Sequence, residues 1–130
     1  MNKILLLLCA IFMAVSCRSD DESRVANYVG TWNWVSTFGG LSGIHETPEN
    51  TGKTASITFT EDYHYTVREN NIVVNEGTFD LYKNISMNGY NHVFIDFSNM
   101  EDKAVEKIDD TELVIFDDVA DGLTYHYRKQ

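Results

Sequence analysis

The sequence predicts an all-β fold, a single eight-stranded antiparallel up-and-down barrel, on three observations. Short runs rich in Thr, Val, Ile, Tyr and Phe recur from residue 29 onward. Turn-forming residues separate these runs roughly every eight to twelve residues. Apolar and polar side chains alternate within the runs, as in a sheet with one buried face. Short turns pair sequential strands antiparallel, and closing eight of them into a barrel removes exposed edges.

The predicted strands follow one another with short connections. They lie at 29–37, 54–60, 63–69, 72–82, 92–98, 104–109, 112–117 and 123–129. Phe94 is an apolar residue on the polar side of its strand, and Gly77 predicts a bulge or bend in the fourth strand. A two-sheet sandwich built from the same strands is the alternative architecture.

One segment of the domain has no strand or helix pattern. Residues 38–53 contain four glycines and the single proline, Pro48. A connection this long within a compact domain is usually functional or mobile. We therefore predict a long loop here, between the first two strands.

The N-terminus has the layout of an exported protein. Lys3 is followed by an apolar run at 4–15, then by Ser16 and Cys17. The run of about a dozen residues is too short to cross a bilayer of about 30 Å as a helix. A basic start, an apolar stretch and a small residue at the end indicate a signal peptide. An ordinary secretory signal and an uncleaved anchor are the alternatives to the interpretation that follows.

The four residues Ala14-Val15-Ser16-Cys17 resemble the lipobox of bacterial lipoproteins. The resemblance implies that residues 1–16 are a lipoprotein signal peptide and that Cys17 becomes the lipidated N-terminus, carrying palmitate-like acyl chains. Two or three acyl chains hold a protein firmly on a membrane. Residues 17–27 are then the lipidated cysteine and an acidic tether, and residues 28–130 the barrel domain.

The acidic stretch at 19–22 resembles the export signal of Bacteroidota lipoproteins, where acidic residues follow the lipidated cysteine. The resemblance implies that the protein is lipid-anchored to the outer membrane and displayed at the cell surface. The periplasmic face of that membrane is the alternative location. A solvated linker would have a similar composition.

Charge and cysteine content exclude several classes of function. The chain has 10 Lys and Arg against 20 Asp and Glu, a formal net charge of −10. Such a charge argues against nucleic acid as a partner. The chain has two cysteines, Cys9 in the predicted signal and Cys17 at the lipidation site. The domain therefore has no thiol for a disulfide, a zinc–thiolate site or a nucleophile.

Two features at the ends of the domain suggest a family. Gly30-Thr31-Trp32 opens the first predicted strand, and Arg128 lies near the end of the last. A Gly-x-Trp motif with a late arginine resembles the lipocalin-like (calycin) β-barrels. The resemblance implies that Trp32 packs across the closed end of the barrel, that Arg128 covers its indole, and that 38–53 overhangs the open mouth. The ending Tyr125-His-Tyr-Arg128 is similar to that of small lipocalin-like lipoproteins of Bacteroidota.

The sequence offers no catalytic constellation, and we predict neither an enzyme nor a cofactor. Gly-x-Ser-x-Gly, phosphate-loop and dinucleotide motifs are absent from the sequence. The four histidines lack the spacing of a local metal motif; they are His45, His64, His92 and His126. Asp117-Asp118-Val-Ala-Asp121-Gly122 has closely spaced oxygen ligands but not the order of an EF-hand. A hairpin turn with Asp capping backbone amides explains it equally well, so we predict no metal site.

Aromatic side chains are the remaining candidates for a binding site. The residues that could line one are Trp34, Phe38, Tyr63, Tyr65, Phe94 and Tyr125. A core composed of the same residues is the alternative, because eight strands leave an interior that side chains nearly fill. The leading hypothesis is non-catalytic binding of a small apolar or amphipathic ligand. The rival is a filled barrel acting as an interaction module, with loops that contact a surface protein or glycan.

Overall fold

The structure, a computed structural model, describes residues 24–130. Within these residues the chain forms nine strands and two single-turn helices. In chain order they are α1 (Val25–Tyr28), β1 (Gly30–Gly39), β2 (Ile44–Glu46), α2 (Pro48–Thr51), β3 (Ala55–Phe59), β4 (His64–Glu69), β5 (Ile72–Ile85), β6 (Asn91–Phe97), β7 (Lys103–Ile108), β8 (Glu112–Phe116) and β9 (Leu123–Lys129).

The predicted eight-stranded antiparallel up-and-down barrel is confirmed. Each strand from β3 to β8 pairs antiparallel with the next, and β1 pairs with both β3 and β9. The sheet therefore closes on itself, which excludes the two-sheet sandwich. The short strand β2 pairs with the end of β1, where Phe38 lies opposite His45. Both ends of this closure lie within residues 24–130, so this segment contains a complete barrel.

The segment 38–53 has more regular structure than its sequence predicts. β1 continues to Gly39 and turns back as β2, and α2 follows directly. Thr47 and Asn50 form a capping box at the start of α2, and Gly52 ends it in the left-handed conformation with φ 68°. A three-residue strand and one helical turn are too short to show a hydrophobic period, which is why the pattern predicted a loop.

Turn chemistry sets the hairpins at the predicted places. Asn70 and Asn71 both have positive φ, 49° and 66°, as a two-residue type I′ turn requires. The carboxylate of Asp109 accepts hydrogen bonds from the backbone amides of Thr111 and Glu112, both at 2.8 Å. These backbone hydrogen bonds lower the pKa of Asp109 to about 2. The ionised aspartate therefore stabilises the β7–β8 turn.

Strand β5 changes partner part of the way along its length. Up to Thr78 it pairs with β4, and from Phe79 it pairs with β6. The bulge lies at Val74, which has no partner on β4, and not at Gly77. A Cβ on Gly77 would overlap the hydroxyl of Ser98, so this glycine permits close approach of the β6–β7 turn.

Inward-facing side chains fill the barrel interior, starting from the end where β1 begins. The buried core consists of Tyr28, Trp32, Ile57, Phe59, Tyr65, Phe79, Val93, Ile95, Phe97, Val105, Leu113 and Ile115. Phe59 makes edge contacts with Tyr28 and Phe79, with ring centroids 6.1 and 4.8 Å apart. Such aromatic pairs add to the free energy gained by burying their area.

Helix α1 closes this end of the barrel. The single turn of α1 includes residues 25–27, which were predicted to belong to the tether. Val25 packs against the core. Tyr28 and Trp32 are both fully buried. The Trp32 Nε1–H donates to the carbonyl of Tyr28 at 2.8 Å, so the indole has its polar group satisfied inside the core.

Candidate functional site

Gly30 and Trp32 lie at the closed end of the barrel, whereas the prediction that Arg128 covers the Trp32 indole is wrong. Gly30 begins β1 with φ 129°, a conformation that favours glycine. The cation over Trp32 is Lys129, whose Nζ lies 4.9 Å from the ring centroid. Arg128 is exposed on the opposite face of β9, because successive side chains of a strand alternate. The structure thus places Lys129, not Arg128, against the indole.

At the other end of the barrel, which we call the mouth, β1 ends and β9 begins. A cavity of about 170 Å³ opens there into the barrel interior. We call it the mouth pocket. It is lined by Trp34, Thr37, Glu46, Lys53, Ala55, Val67, Glu69, Leu123, Tyr125 and Tyr127.

A bulge in β1 shapes the first wall of the mouth pocket. The pairing of β1 with β9 shifts between Trp34 and Ser36, so alternation restarts there. Trp34 and Thr37, three residues apart, therefore both face the interior and are buried. The Trp34 Nε1–H donates to the hydroxyl of Thr37 at 2.9 Å. This hydrogen bond fixes the indole as a rigid apolar surface.

The segment 38–53 supplies part of the rim, as predicted for a loop at the mouth. Glu46 comes from β2, and Lys53 lies between α2 and β3. Lys53 Nζ stands 5.5 Å from the Trp34 ring centroid and 3.5 Å from a carboxylate oxygen of Glu69. The Lys53 and Glu69 side chains are 37% and 44% exposed. Water screens such an ion pair, so it holds the rim weakly.

A buried polar cluster lies beside the pocket. Lys103 and Asp117 form an ion pair with side chains only 15% and 18% exposed. Asp117 also accepts hydrogen bonds from the Tyr125 hydroxyl at 3.1 Å and from the Leu123 amide at 3.3 Å. Lys103 Nζ lies 5.2 Å from the Tyr125 ring centroid. The sequence Asp117–Gly122, considered above for calcium, thus uses its first carboxylate to bind protein groups.

The two tyrosines of the pocket remain protonated well above neutral pH. Burial, followed by the negative charge of Asp117, raises the pKa of Tyr125 to about 12. Burial likewise raises the pKa of Tyr127, with the charges of Tyr125 and Asp117 adding to it. Both residues therefore present an apolar ring and a neutral hydroxyl group to the cavity.

Of the six aromatic residues predicted as candidate ligand contacts, the structure brings two into the mouth pocket, Trp34 and Tyr125. Tyr65 is in the core, and its hydroxyl donates to Asn75 at 2.7 Å. Phe38 is exposed near the end of β1, and Phe94 is stacked on Tyr82 outside the barrel, at 5.3 Å. Tyr63 lies in the β3–β4 turn, half-exposed against Phe79. Which of the six line the mouth pocket depends on their positions along the strands and not on their residue type.

The charged residues that line the mouth pocket were not predicted from the sequence. Glu46, Lys53 and Glu69 were not predicted, nor was Tyr127. Alternation could have found Tyr127, which follows Leu123 and Tyr125 at a spacing of two. The rim charges had no such signal, since Glu46 and Lys53 flank a single helical turn.

The histidines do not form a metal site in the described part of the chain. His126 lies 3.3 Å from Glu112, and His64 lies near Asp62 in an exposed turn. The Nδ1 of His92 is 3.0 Å from the carbonyl of Val105, and His45 is exposed on β2. Between residues 24 and 130, no group of three or more His, Cys, Asp or Glu side chains is placed to hold a metal ion.

The dimensions of the mouth pocket limit what it can hold. A cavity of about 150 Å³ is enough for benzene. The pocket therefore accommodates a molecule of about one six-membered ring, with polar substituents reaching the charged rim. The filled core beneath it leaves no depth for a long acyl chain. Flat aromatic walls with a few polar groups are typical of small-molecule sites.

The predicted lipidation at Cys17 and the signal peptide at 1–16 lie outside the described residues. Within 24–130, no helix has the length and apolar character needed to cross a bilayer. Comparison with models of known protein families, with characterised proteins and with solved structures gave no significant match.

Proposed function

We propose that this protein is a lipid-anchored, lipocalin-like binding protein of the outer membrane that holds a small amphipathic ligand in its mouth pocket without chemical change. The observation that carries the proposal is the cavity between Trp34, Tyr125 and Tyr127, at the end of an otherwise filled barrel. The ligand's apolar body would lie on the aromatic rings, and its polar groups would reach the rim.

The position of the pocket suits a tethered receptor. Helix α1, at the start of the described chain, packs at the Trp32 end of the barrel, while the mouth pocket lies toward the far end of β1. A strand advances about 3.4 Å per residue, so residues 30 and 37 are separated by roughly 24 Å. An anchor at Cys17 would therefore hold the closed end nearest the membrane, with the pocket directed away from it.

A titration of residues 24–130 with probes of graded size tests the binding proposal. We expect saturable one-to-one binding of single-ring alcohols and amines, followed by tryptophan fluorescence, and no binding of long-chain fatty acids. Ala55→Leu should abolish binding, because its side chain would project into the cavity. Ser56→Leu, on the other face of the same strand, is the matched control. Retained binding in Ala55→Leu would count against the pocket.

Lipidation has a separate test in cells. Labelling with a radioactive fatty acid should mark the full chain, and Cys17→Ser should abolish the label. Cys9→Ser, within the predicted signal, is the matched control and should leave the label unchanged. Label that persists in Cys17→Ser would remove the anchor from the proposal while leaving the pocket intact.

A surface interaction module is the second candidate, favoured by one observation. The hairpin between β5 and β6 exposes Ile85, Met87 and Tyr90 at 62%, 69% and 69%. Exposed apolar side chains close together often mark a contact surface. Cross-linking in intact cells should then capture a protein or glycan through this hairpin, and the capture should be lost when these three residues are replaced by Ser. Capture that survives the replacement would reject the hairpin as the contact surface.

A further inference from the structure

The charged side chains of the mouth pocket are not balanced. Two carboxylates, Glu46 and Glu69, line it with one ammonium group, that of Lys53. Lys53 pairs with Glu69, whereas Glu46 forms no ion pair with any Lys, Arg or His of residues 24–130. The lining therefore carries one negative charge in excess. A ligand with one positive charge would neutralise it.

The aromatic walls already hold positive charges. Lys53 Nζ lies 5.5 Å from the ring centroid of Trp34, and Lys103 Nζ lies 5.2 Å from that of Tyr125. Both distances are within the range of a cation–π interaction, about 6 Å. Lys103 is also held by Asp117, in a pair that is largely buried. Lys53 is the more exposed of the two lysines, so a ligand could replace it at Trp34.

The surrounding charges favour the same sign of ligand. After burial, the carboxylate of Asp117 contributes most to the raised pKa of Tyr125, and Glu101 and Glu46 add to it. Since Lys103 neutralises Asp117 in their ion pair, the excess negative charge near this phenol comes from Glu101 and Glu46. The chain as a whole has a net charge of −10, which attracts cations over longer distances.

We infer that the mouth pocket selects a small organic cation, an ammonium group carried on an apolar body of about one ring. The inference rests on the proposed binding function and specifies its ligand class. The ammonium would take the place of Lys53 Nζ over Trp34 and beside Glu69, with Glu46 as the second carboxylate. The ring would lie against Tyr125 and Tyr127.

Three probes of nearly equal size test the charge preference. Calorimetric titrations would use the full chain in phosphatidylcholine vesicles, with protein-free vesicles as the blank. We expect benzylammonium to bind about two- to fivefold more tightly than benzyl alcohol, the range expected for a partly exposed ion pair, and benzoate to bind most weakly. Equal affinity for all three would overturn the cation inference and leave the binding function standing. No binding of any probe would overturn both.

A pair of variants locates the effect. Glu46→Gln should lower the affinity for benzylammonium about threefold and leave that for benzyl alcohol unchanged. Glu61→Gln makes the same change of charge in the β3–β4 turn, away from the mouth, and should alter neither affinity. Equal losses in the two variants would show that net charge, not the pocket, attracts the cation, and would overturn the inference.

Discussion

The cation over Trp32 gives a prediction that separates two neighbouring residues of β9. Lys129 Nζ lies 4.9 Å from the indole centroid, whereas Arg128 is exposed on the outer face. Lys129→Met keeps most of the stem that packs on the ring and removes the charge. A cation–π contact contributes about 0.5–1 kcal/mol when exposed and about 2 when desolvated. Since Lys129 is half-buried over a fully buried ring, we expect a loss of about 1 kcal/mol.

Urea and thermal unfolding of residues 24–130 measure this loss. A change of about 1 kcal/mol corresponds to a fall in Tm of roughly 4 °C or more for a domain near this size. Arg128→Met is the matched control, and its effect should be within about 0.5 kcal/mol, as for most surface substitutions. A larger loss in Arg128→Met than in Lys129→Met would refute the assignment of Lys129 to the closed end.

Three further predictions concern the ionisable groups. Asp117→Asn should destabilise the barrel by about 1–3 kcal/mol in urea unfolding, because it leaves the largely buried Lys103 without its counter-charge. Adding Lys103→Met should recover part of the loss. Burial raises the pKa of Tyr125 to about 12. The free energy of unfolding should therefore fall as the pH rises from 10 to 12, because Tyr125 ionises in the unfolded protein before it ionises in the folded one. A constant free energy of unfolding over that range would contradict the burial of Tyr125. The neighbouring charge of Asp102 raises the pKa of Asp96, so Asp96→Asn should increase Tm at neutral pH. In acid it should have no effect, because Asp96 is then protonated in both the folded and the unfolded protein. A lower Tm of Asp96→Asn at neutral pH would be inconsistent with repulsion between the two carboxylates.

Most of the strand pattern follows from side-chain alternation in the sequence. The eight barrel strands lie near their predicted positions because most of them have an inward apolar row, with β5 as the exception, since its Ile72, Val73 and Val74 are exposed. The pair Asn70-Asn71 correctly predicted the hairpin between β4 and β5, since asparagine adopts positive φ readily. What alternation could not supply was the bulge at residue 35, which places Trp34 and Thr37 on the same face.

The candidate site was harder to predict than the fold. Aromatic residue type alone did not separate the pocket from the core, so Trp34 and Tyr125 were identified together with Tyr65, which is buried elsewhere. The incorrect prediction that Arg128, and not Lys129, covers Trp32 has a similar origin. A motif gives the residue type near a position, while strand register decides which of two adjacent side chains faces the interior.

The barrel is filled by its core except at the mouth, where we propose that a small ligand binds beside Trp34. The chain's two tryptophans report on the two ends separately, because Trp34 Nε1–H donates to Thr37 and Trp32 Nε1–H donates to Tyr28. The most direct measurement follows both indole N–H resonances by NMR while benzylammonium or benzyl alcohol is added to residues 24–130. We expect a saturable shift of the Trp34 resonance and an unchanged Trp32 resonance. A shift of Trp32 with Trp34 unmoved, or no shift of either at saturating probe, would contradict it.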